Sequence, residues 1–431
     1  MKNKETYIRS TNHSMKFSNS MKAERISLFI GEYQNAVFKY IDWIWNHGFE
    51  WKPGRICDIR NEMYDVPSMI STTGIPIESK LSCRALKCAA TQACGIVAGC
   101  FKRRNKDLFI KQKCLDAGKP IPTRIQERLN TVISMPTAKE LTVNPELNSI
   151  CVSVEDGKNS FDKWIRFHSL FNDARGEKIC IPIKLTKMDR KYESGKILNS
   201  ILISSSGISL RYELEIKKSV GTKIIGIDQG IKTCITTSDG QTTKKNPHNH
   251  DLEYCIRRIS RTKRGSKNNK RAIIERDNII GYAVNQINFN ELSEIRYEKH
   301  FDTKRGKRLS RLLTHFSNPV LQNRIERKAV ENGVRFLIVE NSFNSQRCCV
   351  CGWTQKANRN AKRFRCRKCG NEIDADLNAA KNILNRPFLP KLTFASVPKG
   401  ANIQGFFWNA STGKGASAPE VGCLQSPTVQ N

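Results

Sequence analysis

Apolar and polar positions recur with different periods along this chain, and the changes of period divide it. From Met21 to Asn46, Ile26, Phe29, Ile30, Tyr33, Val37, Ile41 and Ile44 return at three- and four-residue spacing, which predicts a long amphipathic helix. A second helical stretch covers Leu81 to Lys106. Its Ala, Cys and Gly content suits close helix packing, and it ends in Lys102, Arg103, Arg104 and Lys106. Residues 1–20, ahead of both, are polar and rich in Ser and Asn, with a short strand expected at Thr6–Arg9. From about Pro136 to Lys217 the period shortens. Ser149–Val154, Ile179–Lys184 and Ile197–Ser204 are rich in β-branched residues and separated by turn signals, so this region reads as a small antiparallel β-domain.

Gly221 opens a third region in which strand and helix patterns alternate. Lys223–Gly240 reads as a buried strand, a turn at Gly230, a second strand and a turn at Asp239-Gly240. After the basic run Arg257–Arg271, a helix passes through Ile273, Ile280, Val284 and Ile287. Ser293–His300 reads as a strand with Ile295 and Tyr297 on one face and Glu298 near its end. The next helix has Pro319 in its first turn, apolar Leu321, Ile325 and Ala329, and Gly333 as its stop. Val334–Val339 is another buried strand. Residues 386–431 carry Pro, Gly, Ser and Ala without periodicity and are expected to form a mostly disordered tail.

Composition narrows the function classes. The 431 residues suffice for two or three domains, and 73 Lys and Arg against 40 Asp and Glu leave a net charge of +33. An excess of that size argues for a polyanionic partner, and nucleic acid is the obvious one. No apolar run is long enough to span a membrane. The 16 cysteines are scattered, no signal peptide opens the chain, and the best-spaced four suit a metal, so a reducing cytoplasm is expected.

Those four are Cys348/Cys351 and Cys366/Cys369, two Cys-x-x-Cys knuckles separated by a basic insert. They can supply four thiolates at tetrahedral geometry, which is how Zn²⁺ is held in a zinc ribbon. Gly352 and Gly370 let the backbone turn tightly behind each pair. The segment is too polar to be a core, and Cys349 is a bystander. Cys83, Cys88, Cys94 and Cys100 fit no zinc knuckle and read as small core residues.

A second chemistry is carried by carboxylates. Asp228 lies inside a buried strand, where a charge is out of place without a partner. Asp228, Glu298 and Asp376 each fall at or near the end of a regular element, and we expect them to converge. Three carboxylates repel one another unless divalent cations sit between them, and hard oxygen ligands suit Mg²⁺. Two such ions can activate a water and stabilise the leaving oxygen of a phosphodiester.

With these residues in view, the chain resembles the TnpB-type transposon nucleases and the compact type V CRISPR effectors that share their pattern. The resemblance is carried by Gly226-Ile-Asp-Gln-Gly-Ile-Lys232, a strand with a Glu, Ser345-Gln-Arg-Cys-Cys-Val-Cys-Gly352, Cys366-Arg-Lys-Cys-Gly370 and the frame Ala375-Asp-Leu-Asn-Ala-Ala-Lys-Asn-Ile383. It covers about residues 221–385 with specific motifs and is only architectural over 1–220. It implies an α+β multidomain protein. The parts are a first strand of a β-barrel wedge (1–20), a helical recognition part (21–135), the β-rich wedge (136–220) and an RNase H-like RuvC nuclease domain (221–347). An inserted zinc ribbon (348–370), the last RuvC helix (371–385) and the tail (386–431) follow.

The implied activity is guide-RNA-directed DNA cleavage, with base pairing reading the target. Carried over by motif, Asp228 is the first carboxylate and Asp376 the third, because the Ala-Asp-x-Asn-Ala-Ala frame falls on Asp376 rather than Asp374. Asn378 is expected to orient the site. Glu298 has the family's local pattern for the second carboxylate, with Glu340 as the alternative. In the family the strand before Ser-Gln-Arg-Cys carries no catalytic residue, so Glu340 reads as structural.

The basic run supplies Arg257, Arg258, Arg261, Lys263, Arg264, Lys267, Lys270 and Arg271, either as a solvated helix face or, as the resemblance favours, as phosphate contacts. His248-Asn-His250 resembles an HNH nuclease in letters only. Trp43, Trp45 and Trp51 read as core rather than a base-stacking platform. Rival readings are a nuclease-inactive guided repressor, an unguided zinc-ribbon DNA-binding protein and a transposase. Whether one or two copies act per target stays open.

Overall fold

The structure is a computed structural model that describes residues 5–46, 77–298, 315–386, 400–408 and 415–416, apart from short breaks at 119, 139–141, 149–150, 159, 169, 173–177 and 199. Trp51 and residues 299–314, which follow Glu298, lie outside the described residues. The chain divides into two compact units, Met1–Glu215 and Ile216–Asn431. Among the described residues no helix is long and apolar enough to cross a membrane.

The first unit opens with β1 (Thr6–His13), α1 (Ser20–Asn46), α2 (Cys83–Asp116) and α3 (Thr123–Asn130). It continues through β2 (Glu146–Leu147), β3 (Val152–Asp156), β4 (Lys163–His168), β5 (Lys178–Ile183), α4 (Lys187–Lys191), β6 (Lys196–Ile197), β7 (Ile201–Ser204) and β8 (Gly207–Glu215). The periodic face of α1 is its buried face, from Ile26 to Ile44. It packs on Ala85, Ala89, Ala90, Ala93, Cys94 and Val97 of α2, whose small side chains let the two backbones approach. Helix α2 runs ten residues past the expected end at Lys106, to Asp116. Trp43 and Trp45 pack against this core.

The expected β-barrel is not what these strands build. Strand order β1-β8-β7-β2 leaves β1 and β2 as edges, with β6 also on β8. Among the described residues the meander β3-β4-β5 is a separate sheet that pairs with neither edge. The result is two antiparallel sheets rather than a closed ring. Strand β1 meets β8 along its whole length, Thr6 opposite Glu215 through His13 opposite Ile208. Beneath that pairing Asp189 is wholly buried and accepts hydrogen bonds from Thr11 Oγ1 (2.5 Å), Tyr212 OH (2.8 Å) and the Thr186 amide (2.7 Å), with His13 Nε2 at 3.1 Å. A buried carboxylate needs that many partners to stay charged.

The second unit carries β9 (Lys223–Gln229), β10 (Ile235–Thr237), α5 (Leu252–Arg261), α6 (Lys267–Asn285), β11 (Leu292–Glu298), α7 (Asn318–Glu331) and β12 (Arg335–Val339). The ribbon strands β13 (Arg359–Asn360), β14 (Arg363–Arg365) and β15 (Glu372–Asp374) follow, then α8 (Ala375–Asn385), α9 (Ala401–Gln404), β16 (Phe407–Trp408) and β17 (Gly415–Ala416). The main sheet has the order β10-β9-β11-β12. Strand β10 is antiparallel to β9, and β11 is parallel to both of its neighbours. Side chains alternate across a strand. Ile225, Ile227, Ile295 and Tyr297 therefore share one face, packed on Ile256, Ile280, Leu321 and Ile325 of α5, α6 and α7. The opposite face takes α8. Gly226 makes this possible, since a Cβ there would collide with the Ala380 carbonyl.

Two expectations about the C-terminal part need correction. The ribbon does not end at residue 370, because β15 pairs with β14 and runs straight into α8. The tail is not wholly without structure: residues 400–408 fold back onto the ribbon, with Phe406 bridged to Thr354.

Candidate metal centres

The four predicted cysteines come together. The Sγ atoms of Cys348, Cys351, Cys366 and Cys369 all lie within 4.8 Å of one another. Cys348 and Cys369 are 3.7 Å apart and Cys351 and Cys366 3.5 Å. Sulfurs at about 2.3 Å from one tetrahedral centre would stand about 3.8 Å apart, so the cluster could hold a Zn²⁺ ion. The Lys368 amide (3.4 Å) donates to Cys366 Sγ and Asn371 Nδ2 (3.7 Å) to Cys348 Sγ, as suits thiolates. Gly352 and Gly370 have φ of 78° and 75°, the left-handed turns their sequence positions require. Cys349 is outside the cluster. Its amide donates to Asn378 Oδ1 (3.0 Å), and Asn378 Nδ2 donates to the Arg347 carbonyl (2.8 Å), so Asn378 ties the ribbon to α8.

The three predicted carboxylates lie on one side of the main sheet, near enough for the charges of Glu298 and Asp376 to bear on Asp228. Register places Tyr297 opposite Ile227 on parallel neighbours, so Glu298 and Asp228 stand side by side on the face that α8 covers. Helix α8 delivers Asp376 from its first turn. Asp374, the other acid of that segment, is its N-cap and accepts from the amides of Asp376 (2.9 Å) and Leu377 (3.1 Å). Burial, then the charges of Glu298 and Asp376, hold the Asp228 carboxyl well above the usual carboxylate range. Burial also pushes Glu298 up to about 7, against the opposing pull of a hydrogen bond from Asn344 and the charges of Arg386 and Arg359.

Glu340 is nearby and has partners of its own. Its charge bears on Glu298 and on the buried Arg386, while its own carboxylate accepts from the Asn341 amide (3.3 Å) and Ser342 Oγ (3.4 Å).

Asp376 is already paired. It binds Arg359 Nη2 at 3.1 Å and the Lys362 ammonium, both from the basic insert of the ribbon. Among the described residues, only the cysteine cluster brings three or more ligand atoms within 4.8 Å of one another. The carboxylates are spaced more widely than that. Their donor chemistry nevertheless fits Mg²⁺: they are hard oxygen ligands, and burial raises the pKa of two of them, Asp228 and Glu298.

Sequence reasoning missed Arg359, Lys362, Asn344 and Arg386 as parts of this site. The first two were visible only as charges of the insert. Asn344 and Arg386 carried no signal, since their roles depend on contacts between distant segments.

The basic run forms the end of α5, a turn, and the start of α6. Arg257 pairs with Glu253 and Arg258 with Glu275. Arg261, Lys263, Arg264, Lys267, Lys270 and Arg271 are all exposed and form no ion pair with a described residue. His250 Nδ1 contacts Glu275 at 2.7 Å and its ring stacks on Tyr254, which is a surface packing arrangement rather than a nuclease motif.

The family described as "Cas12f1-like, TNB domain" matches residues 320–383. A CRISPR-associated endodeoxyribonuclease Cas12f1 from Sulfoacidibacillus thermotolerans is 41% identical over 17% of this chain and 18% of its own length. A putative RNA-guided DNA endonuclease from Streptomyces pristinaespiralis is 26% identical over 38% of this chain and 45% of its own length. The chain thus spans less than half the length of these curated relatives. Among solved structures, a Cas12f1–sgRNA–target DNA complex aligns over 89% of this chain and 99% of that one, with 15% identity and a TM-score of 0.43. The mini-RNA-guided endonuclease CRISPR-Cas_phi3 aligns over 90% and 93%, with 10% identity and a TM-score of 0.47. The chain is similar to compact type V and TnpB-like nucleases, and the matching family model runs from α7 through the ribbon into α8.

Proposed function

We propose that this protein is an RNA-guided DNA endonuclease of the cytoplasm, with a RuvC-type acid site of Asp228, Glu298 and Asp376 and a structural zinc ribbon. The observation that supports it most is that carboxylates from β9, β11 and α8 lie on one side of the sheet, two of them held above their ordinary pKa by burial, and Asp228 also by the charges of Glu298 and Asp376. A basic protein has no structural reason to keep such a cluster in the face of its sheet. Two Mg²⁺ ions bound there would supply an activated water and charge stabilisation for a leaving phosphodiester oxygen.

The chain's own residues then divide the remaining work. Asp228 and Glu298 fix oxygen donors on a rigid sheet. Asp376 adds a third from a capped helix terminus. Lys362 and Arg359, which reach this position from the ribbon, are free to turn to a DNA phosphate once cations replace them at Asp376. The exposed cations from Arg261 to Arg271 neutralise backbone phosphates on the way in. The Lys362–Asp376 pair is the one observation that favours a nuclease-inactive guided repressor, since it fills a ligand position with a protein cation.

The test is to purify the protein from its native locus, sequence the RNA that comes with it and assay cleavage of a matching DNA in Mg²⁺. A discrete RNA with a constant scaffold and a variable end is expected. Cleavage should vanish in Asp228→Ala while DNA binding persists. Random RNA fragments would sink the guided reading. Specific RNA and DNA binding without nicking would favour the repressor.

A further inference from the structure

Residues 400–408 have no part in the acid site as described, yet they are built into the second unit. Phe406 is buried and exchanges two backbone hydrogen bonds with Thr354 of the ribbon, at 2.9 and 3.0 Å. Asn402 Nδ2 donates to Gln346 Oε1 (2.9 Å). Gly405 lies against the Trp353 ring with φ of 97°, so a side chain there is excluded twice, by conformation and by space. These contacts seat the Phe406 ring edge-on to Phe343, with centroids 5.4 Å apart.

Phe343 is the second half of the argument. Its φ is 64°, in the left-handed region, where a non-glycine residue with a bulky side chain persists only if its surroundings enforce it. The next residue, Asn344, is buried, and its Nδ2 donates to Glu298 Oε2 (3.1 Å) and to the Glu340 carbonyl (3.1 Å). Its own carbonyl accepts from Asn382 Nδ2 (2.9 Å) on α8. The direction in which Asn344 points therefore depends on the turn that Phe343 makes.

We propose that residues 400–408 are a brace for the acid site: Phe406 holds Phe343 in its turn, the turn aims Asn344 at Glu298, and Asn344 is a positioning residue for the second carboxylate. Only the last link rests on reading Glu298 as a metal ligand. The brace itself is independent of it.

Two measurements on the zinc-loaded protein separate these links. The first is amide hydrogen exchange over 341–347, where the Gln346 and Arg347 amides both donate to the Phe343 carbonyl, at 2.9 and 3.0 Å. Gly405→Ala and Phe406→Ala should speed exchange there by roughly tenfold, and Phe406→Leu should restore most of the protection. Unchanged exchange in both variants overturns the brace.

The second is Mn²⁺ titration followed by EPR, counting only the binding that Asp228→Ala removes. Asn344→Ala and Phe406→Ala should each weaken it several-fold, with zinc content unchanged. Parent affinity in Asn344→Ala overturns the positioning role. If Asp228→Ala removes no Mn²⁺ binding, the acid-site reading and the last link fall together, and the exchange result still decides the brace.

Discussion

Glu298 sits beside Asp228 because two parallel strands put them in adjacent register, and burial there raises the pKa of both carboxyls. With a folded pKa of about 7 against an ordinary value of 4.5, Glu298 prefers to be protonated in the folded protein without metal. That preference stabilises the fold fully below the ordinary value, and the gain is lost as pH rises through about 7. Glu298→Gln in Mg²⁺-free buffer should therefore match the parent near pH 4 and be more stable than it at pH 8, by about 1–3 kcal/mol after allowance for solvent screening. Added Mg²⁺ should narrow the gap by stabilising the parent alone. Thermal melts across pH would check this, and a variant that is less stable at pH 8 would contradict it. At this scale the sequence was legible wherever a local frame sufficed: Asp228 in its Gly-Ile-Asp-Gln-Gly strand, and Asp376 against Asp374 in the Ala-Asp-x-Asn frame. Glu298 against Glu340 needed the sheet register. Lys362, Arg359, Asn344 and Arg386 could not be read at all, because each reaches the acids from a segment with no pattern of its own.

Elements explain how acids from separate segments come to meet. Helix α8 lies on the main sheet at Gly226, where its backbone occupies the space a side chain would need. Gly226→Ala would force α8 away from β9 and carry Asp376 with it. We expect a loss of about 1–3 kcal/mol from overpacking, together with loss of cleavage, while the cysteine cluster keeps its zinc. Calorimetry and a zinc assay on the same sample distinguish this from global misfolding, in which zinc would also be lost. Most of these elements could be read from period and punctuation, as α1, β9 and α7 show. Pairings could not. The short strand at Thr6–Arg9 gave no sign that it extends to His13 and lies along β8, nor that Asp189 beneath them needs Thr11, Tyr212 and Thr186. The expected barrel failed for the same reason: alternation predicts strands and is silent on which edges close. The tail misled because Phe406-Phe-Trp408 is a single short aromatic run with no periodic pattern around it, and its backbone and ring partners Thr354 and Trp353 lie in the ribbon.

Over the whole molecule, the net charge of +33 sets a long-range attraction to polyanions, but it does not say where the phosphates land. The local arrangement of cations does. Around the α5–α6 turn, Arg257 and Arg258 face Glu253 and Glu275, while Arg261, Lys263, Arg264 and Lys267 face solvent without an ion pair to any described residue. Only cations of the second kind release condensed counterions in full when they meet a phosphate. Each such contact contributes about 0.7–0.9 to the slope of log affinity against log salt. Replacing those four by Gln should therefore flatten the slope by about 3 if all of them touch the nucleic acid. Replacing Arg257 and Arg258 should change it by distinctly less per residue, because each already spends its charge on a glutamate and its removal leaves that glutamate to repel the backbone. Filter binding of a matched target between about 50 and 200 mM salt would measure both slopes. Parallel lines for the fourfold variant and the parent would mean that this surface is a solvated helix face. The long-range charge would then have to act through some other part of the protein.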